Sequence, residues 1–210
     1  MLYYDPIARP PRLYRIFFPG GVWRLKRPAA GKTVFLTFDD GPVPEETPWV
    51  LDTLDRYGIK ATFFMVGDNV RRYPGLLEEV RRRGHSVGNH TMHHLQGIHH
   101  TAPYYLADVA EAHELIGSRL FRPPHGLLKP AQSSRLRKHY RLIMYDLVTR
   151  DYSSSLTPEQ VLERVCRYAR NGSIIVFHDS IKASPRMRWA LPRAIEWLMQ
   201  QGYEFDRLPE

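Results

Sequence analysis

Hydrophobic and polar residues follow two periods along this chain, and the periods take turns. Thr33 to Phe38 and Ala61 to Val66 are short apolar runs rich in β-formers. Each leads through polar residues into helical spacing, about Thr47 to Tyr57 after the first and Asn69 to Arg83 after the second. Gly84 ends that second helix, and His85 to Gly88 predicts a short third strand. Ala102 to Ile116 has helical spacing, Arg119 to Phe121 reads as another strand, and Leu142 to Asp146 and Ile174 to Phe177 are the clearest later strands. Between those two lies a helix whose start is marked by Thr157, Pro158 and Glu159. A helix from about Arg186 to Gln200 and a strand near Tyr203 to Asp206 complete seven βα-like units.

Such alternation predicts an α/β architecture with a mainly parallel sheet. The polar clusters repeatedly fall just after strand candidates, and in barrels the carboxyl ends of the strands carry the chemistry. An open sheet gathers its ligand at a single switch point instead. The expectation is a single-domain, distorted or incomplete (β/α) barrel of about seven strands over residues 33–210, with residues 1–32 as an N-terminal extension packed on it. A length of 210 residues suits one core, and no internal repeat, low-complexity tract or linker divides it.

Hydrophobic content of 43% and charged content of 25% place the chain among ordinary globular proteins. Leu13 to Trp23 is apolar and flanked by Arg12, Arg15 and Arg24, yet Pro19, Gly20 and Gly21 break it. It therefore reads as packing across the outside of the domain, with contact to a membrane surface as the alternative, and not as a transmembrane helix. Met1 to Asp5 has neither a basic start nor an apolar run, so no signal peptide is visible, and localisation of this bacterial-type enzyme stays open between a cytoplasmic site, which that start favours, and export. The lone Cys166 sits at helical spacing with Val161, Leu162, Val165 and Ala169 and reads as a small hydrophobe. The formal charge of +8 and pI near 9.7 favour acidic partners, and Arg71, Arg72, Arg81, Arg82 and Arg83 crowd one stretch. These arginines recur on a polar helix face without interleaved aromatics or a nucleic-acid motif, which argues against nucleic acid.

Five clusters carry candidate chemistry. In Thr37-Phe38-Asp39-Asp40-Gly41-Pro42, adjacent carboxylates end a strand, where one can bind a cation while the other takes a proton from water. In Asn89-His90-Thr91-Met92-His93-His94, His90 and His94 share a face if the segment is helical, and with one carboxylate they leave open coordination positions. Spacing alone leaves His93 open as the ligand. Phe121-Arg122-Pro123-Pro124-His125-Gly126 joins a cation to a stiff turn that can aim a backbone N–H at an oxyanion, while Arg122 can pin a carboxylate. Asp151-Tyr152 and Val176-Phe177-His178-Asp179 follow later strands, and a nearby carboxylate would keep His178 protonated as an acid.

In this order the clusters closely resemble the polysaccharide deacetylase family, also called carbohydrate esterase family 4, from Thr33 to the carboxyl end. Thr37 to Pro42 matches its first motif. His90-Thr91-Met92-His93-His94 matches its His-Ser/Thr-any-any-His motif, which selects His94. Arg122 to Gly126 resembles the third, where His125 is often tyrosine. The resemblance implies a distorted (β/α) barrel holding a divalent metal, usually zinc, through Asp40, His90 and His94. It implies Asp39 as general base oriented by Arg122, and His178 as acid interacting with Asp151. A backbone N–H near Pro124 and His125 would stabilise the oxyanion, and Tyr152 would wall the acetyl pocket. Tyr145 and Tyr152 stand where the family often has tryptophan.

The implied activity is removal of N-acetyl groups from an N-acetylglucosamine-containing polysaccharide or oligosaccharide, chitin-like or peptidoglycan. Alternatives are O-acetyl ester hydrolysis on acetylated xylan, hydrolysis of a small non-sugar amide, or a non-catalytic carbohydrate-binding role, the last requiring loss of a base, ligand or acid. Iron or cobalt also suits two histidines and a carboxylate. The sequence leaves the oligomeric state open.

Overall fold

The computed structural model describes residues 5–25 and 31–209; the remainder of the proposed extension, residues 1–4 and 26–30, and residue 210 lie outside the described residues. The elements run in the order β1 Lys32–Asp39, α1 Thr47–Arg56, β2 Thr62–Met65, α2 Gly67–Arg72, α3 Pro74–Arg82, β3 Ser86–Asn89, α4 Ala102–Ile116, β4 Leu120–Phe121, α5 Pro130–Leu136, β5 Arg141–Leu142, β6 Leu147–Val148, α6 Pro158–Tyr168, β7 Ile174–His178, α7 Ser184–Gln200 and β8 Tyr203–Phe205. Seven strands pair in the order β5-β4-β3-β2-β1-β7-β6, with β8 added beside the start of β1, and every one of these pairings is parallel. The sheet curls into the incomplete, distorted barrel that the sequence predicts.

Period-two alternation sorts the strand residues between two cores. Val34, Leu36 and Phe38 of β1, with Phe63, Ile175 and Phe177, pack against the helices. Phe35, with Phe64, Leu120, Ile143 and Ile174, fills the inner face. Asp39 shares the parity of Phe35 and Thr37 and therefore points inward at the carboxyl end of the barrel.

Three local expectations change. The predicted helix over Asn69 to Arg83 is two, α2 and α3, because Pro74 lacks the N–H and the space to continue the first; Tyr73 at the joint leaves helical geometry with φ −131° and ψ 57°. The predicted strand Leu142 to Asp146 ends after Leu142, and the chain crosses the barrel's opening to begin β6 on the opposite edge. The crossing is fixed by non-strand partners. Arg122 takes the Met144 carbonyl, and the buried Asp146 carboxylate binds Arg15 at 3.0 Å, the Arg170 Nε at 2.8 Å and Ser173 at 2.8 Å. The short α5 has no counterpart among the predicted helices; it starts at Pro130, where the Lys129 N–H donates to Gln132 Oε1 at 2.8 Å.

The seam between β5 and β7 is filled from the N-terminal side. Val22 bridges Ile143 in parallel and Arg24 bridges Ser173 in antiparallel, while Phe18 and Trp23 join a buried cluster with Tyr105, Phe121 and Leu142. Phe18→Leu is expected to lower stability by about 1 kcal/mol through lost packing against Trp23. Urea unfolding measures it, and an unchanged midpoint would mean that this segment is not part of the cooperative core.

Candidate active site and metal centre

β1 and β3 end on either side of β2, so Asp40 and His90, each one residue past its strand, flank the exit of the strand between them. β2 supplies no acid or imidazole there. Its exit instead ties the turn down: Val66 N–H donates to the Gly41 carbonyl at 2.9 Å and Asn69 Nδ2 to the Asp40 carbonyl at 2.8 Å. Gly41 is obligatory at this turn, since a β-carbon would come within 2.1 Å of Asp179 Oδ2.

Among the described residues, Asp40, His90 and His94 offer ligand atoms that all lie within 4.8 Å of one another. Asp40 Oδ1 is 3.1 Å from His94 Nε2 and 3.8 Å from His90 Nε2. Ligand bonds of about 2.1 Å put the donors of a tetrahedral ion roughly 3.4 Å apart, so the three fit a small divalent cation with little movement. The His90 Nδ1 lies 2.8 Å from the Arg122 carbonyl and must donate to it, which leaves the Nε2 lone pair free to face Asp40. Burial drives the His90 pKa down to about 4 against the pull of Asp39, so the ring is the neutral form a metal requires. Burial also penalises the Asp40 carboxylate, but the His94 hydrogen bond and the charges of His178 and His90 outweigh it and hold Asp40 ionised well below the usual carboxylate range.

The histidine segment is not helical. His90 and His94 converge because Thr91 and His94 adopt left-handed φ values of 67° and 53°. Asp40 at 79°, His125 at 58° and Arg150 at 61° complete the non-glycine residues with positive φ among the described residues, and three of the five are predicted site residues. Threonine in this region is strained, and such strain gathers where a site needs an awkward geometry held. His93 points away: its Nδ1 binds Asp108 at 2.5 Å, and Asp108 also accepts the Met92 N–H at 2.7 Å.

Arg122 is fully buried inside the barrel, its guanidinium 4.0 Å from the centre of the Phe64 ring. Its Nη1 donates to Thr37 Oγ1 at 2.7 Å and Asp39 Oδ1 at 2.6 Å, two side chains on one face of β1. Asp39 Oδ2 remains free of Arg122 and lies 4.0 Å from His90 Nε2. β1 and β7 pair with Asp39 directly opposite His178, so the two share the inner face. The buried Asp151 grips His178 twice, accepting its N–H at 2.9 Å and its Nδ1 at 2.7 Å. Burial disfavours the His178 cation, but Asp151 overrides it and raises the pKa to about 9. Asp179 plays no part in that pair. It accepts the Gly41 N–H at 3.2 Å and the Thr47 hydroxyl at 2.6 Å, and burial followed by the charge of Asp40 pushes its pKa up to about 8.

A cleft of about 450 Å³ is lined by Asp39, Asp40, His90, His94, Arg122 and His178, with His125, Tyr145 and Tyr152 on its walls. Tyr152 stands edge-on to His178 with ring centres 4.8 Å apart. Asp151 sits behind His178 and Pro124 is buried behind His125. The structure thus brings together all ten predicted site residues, eight on the wall and two behind it. Sequence reasoning missed the roles of Asp108, Asn69 and Asp179, which act only through contacts made across loops, and Lys182, which lines the mouth 5.9 Å above the Tyr152 ring.

The sequence model of the polysaccharide deacetylase family matches residues 26–145, more than half of the chain. A peptidoglycan-N-acetylglucosamine deacetylase of Bacillus cereus is 32% identical over 91% of this chain and 93% of its own length. The peptidoglycan-N-acetylglucosamine deacetylase PgdA of Listeria monocytogenes is 30% identical over 85% of this chain, which spans only 38% of that protein. A solved structure, the Bc1960 peptidoglycan N-acetylglucosamine deacetylase, aligns with a TM-score of 0.84 at 25% identity over 95% of both chains. With its curled parallel sheet and its Asp-His-His corner, the chain belongs to the polysaccharide deacetylase family.

Proposed function

We propose that this chain hydrolyses N-acetyl groups on an N-acetylglucosamine-containing glycan such as peptidoglycan, with zinc held by Asp40, His90 and His94. The observation that carries this reading is the facing pair Asp39 and His178, one an arginine-held carboxylate and the other a carboxylate-held imidazolium, on either side of the metal corner.

A bound divalent cation supplies Lewis acidity, polarising the acetyl carbonyl and favouring deprotonation of water. Asp39 accepts the proton of the attacking water at Oδ2, the oxygen that Arg122 does not use. Arg122 holds the carboxylate at one angle through its 2.6 Å bond to Oδ1. The His125 N–H has no acceptor among the described residues, while Gly126 and Leu127 donate back to Pro123 and Pro124, so it is the amide that can stabilise the oxyanion. His178 donates its Nε2 proton to the departing sugar nitrogen, the Nδ1 proton being committed to Asp151. Tyr152 and Tyr145 wall the acetyl group.

The acid's protonation sets an alkaline limit. With the His178 pKa near 9, activity persists through neutral pH and is lost as pH rises through that value. Asp151→Asn removes the anion responsible, so the descending limb of kcat/KM against pH should move toward the ordinary imidazole value of about 6.5. A limb left in place would remove His178 from the role of acid. The same raised pKa makes the His178 contribution to stability greatest below about pH 6.5 and lost on the way up to about 9.

The function is tested by acetate released from N-acetylglucosamine oligomers, peptidoglycan and acetylated xylan, before and after chelation and with zinc restored. Chelator-sensitive release from the first two, recovered with zinc and absent in His94→Ala, is expected. Release from acetylated xylan alone would make the chain an esterase, and release from none, with metal bound, would overturn deacetylation.

A further inference from the structure

The short 3-10 helix Arg12–Phe17 is inside out. None of its residues is fully buried, and Leu13, Ile16 and Phe17 are 70%, 68% and 66% exposed, while Tyr14 and Arg15 between them are half-buried and turn inward. Arg15 binds the buried Asp146 and lies over Trp23, and the Tyr14 hydroxyl donates to the Gly126 carbonyl at 3.2 Å. A single exposed apolar residue is ordinary, but three bulky ones within five residues, on a segment whose arginine is held inside, form a surface that water does not favour.

Beside it lies unneutralised positive charge. The arginines crowded on α2 and α3 are not its source, because acids meet them: Arg71 pairs with Glu111 at 2.6 Å, Arg72 with Asp68 at 2.6 Å, Arg82 with Glu79 at 2.7 Å and Arg83 with Asp52 at 2.7 Å. On the α4–α5 flank, by contrast, a hollow of about 810 Å³ is lined by Arg119, Arg135 and Lys138 with His113 and His139, over a floor of Leu106, Leu136 and Tyr140. Among the described residues no carboxylate pairs with Arg119, Arg135 or Lys138. Glu114 is close enough that burial and its charge together raise the Tyr140 pKa, but the cations outnumber it. The hollow and the exposed helix flank one buried cluster: Tyr14 and Phe18 pack in it with Leu106, Leu136 and Tyr140. Three residues past the helix, Gly20 lies against Arg137, the neighbour in sequence of Leu136 and Lys138 of the hollow, and a methyl built on it would come 2.8 Å from the guanidinium.

We propose that this flank docks on an anionic phospholipid surface, with Leu13, Ile16 and Phe17 entering the boundary between headgroups and acyl chains while Arg135 and Lys138 meet the lipid phosphates. An apolar wedge next to unpaired cations is the pairing that interfacial binding uses, the wedge giving depth and the cations selecting negative headgroups. A second copy of the chain fits less well, because it would bring the same cations against themselves. Through Tyr14 and Gly126 the docked helix touches the turn that carries His125, so docking sets the catalytic cleft beside the bilayer surface. The inference is independent of the catalytic reading, since none of the wedge or hollow residues belongs to the site.

The full chain is sedimented with vesicles of equimolar phosphatidylglycerol and phosphatidylcholine, and with phosphatidylcholine alone. Binding to the anionic vesicles, weakened by salt and at least roughly tenfold weaker to the neutral ones, is expected. A Leu13→Ser, Ile16→Ser, Phe17→Ser variant should lose roughly tenfold or more in vesicle affinity, and Arg135→Glu with Lys138→Glu should abolish the preference for anionic lipid. All these positions are exposed or partly exposed, and thermal unfolding verifies that each variant is folded. Wild-type protein left in the supernatant, or a folded triple-serine variant that binds as before, would overturn the proposal. So would a wild-type dimer that the triple-serine change converts to monomer without any vesicle binding, which would assign the face to a second copy.

Discussion

Asp39→Asn is expected to lower kcat for acetate release by roughly 10²- to 10⁴-fold, the range that a positioned general base contributes, with metal stoichiometry unchanged. The substitution is nearly isosteric and keeps an oxygen for Arg122 to bond, but an amide cannot take the proton. Asp39 is not among the three groups that converge as ligands, and its Oδ2 lies 4.0 Å from His90 Nε2. Activity and metal content should therefore separate. Metal-saturated Asp39→Asn with near wild-type turnover would remove Asp39 as the base, whereas parallel loss of metal and activity would recast it as a ligand.

Arg122→Met is expected to destabilise the fold by about 3–5 kcal/mol, because it leaves the Asp39 carboxylate buried without its cation. Methionine approximates the volume of the arginine stem, so the loss reports charge more than a cavity. The double variant Arg122→Met with Asp39→Asn decides the matter. Removing the stranded carboxylate should recover part of the lost stability, giving a coupling of the sign expected for a buried ion pair. Strictly additive denaturation free energies would show that Arg122 acts as filler between Phe64 and Thr37 and not as the partner of Asp39. Activity should fall in both variants, since Asp39 loses either its proton affinity or its orientation.

Much of the site was legible in the chain because strand period and motif agree. Thr37 and Asp39 alternate with Leu36 and Phe38, so the inward face of β1 is set by composition alone, and Ile174 to His178 repeats the arrangement on the neighbouring strand. The order of five polar clusters, each just past a strand, carried both the barrel and the family. Other features had no local signature. The run Leu142 to Asp146 has strand composition, but Met144 and Asp146 are claimed by Arg122, Arg15 and Arg170 from distant segments, and such claims override β-propensity. Spacing alone does not separate His93 from His94, which the family motif selects; the physical reason lies in Asp108 on α4, which takes the first, and in a left-handed turn that delivers the second.

The alternation of strands and helices, the inward parity of Thr37 and Asp39 and the residue types of an acid, a base and a metal corner follow from local period and chemistry and are readable in the chain, whereas the break at Pro74 emerged in the folded molecule. Folding in three dimensions was needed to assign each carboxylate its partner, Asp151 for His178 and Asp179 for Gly41, and to bring residues 22–24 into the open seam of the barrel. It alone turned Arg15 inward and left Leu13, Ile16 and Phe17 outside. The physical reason is common to these cases: a buried charge must find its partner wherever the fold brings one, and no window of sequence contains both.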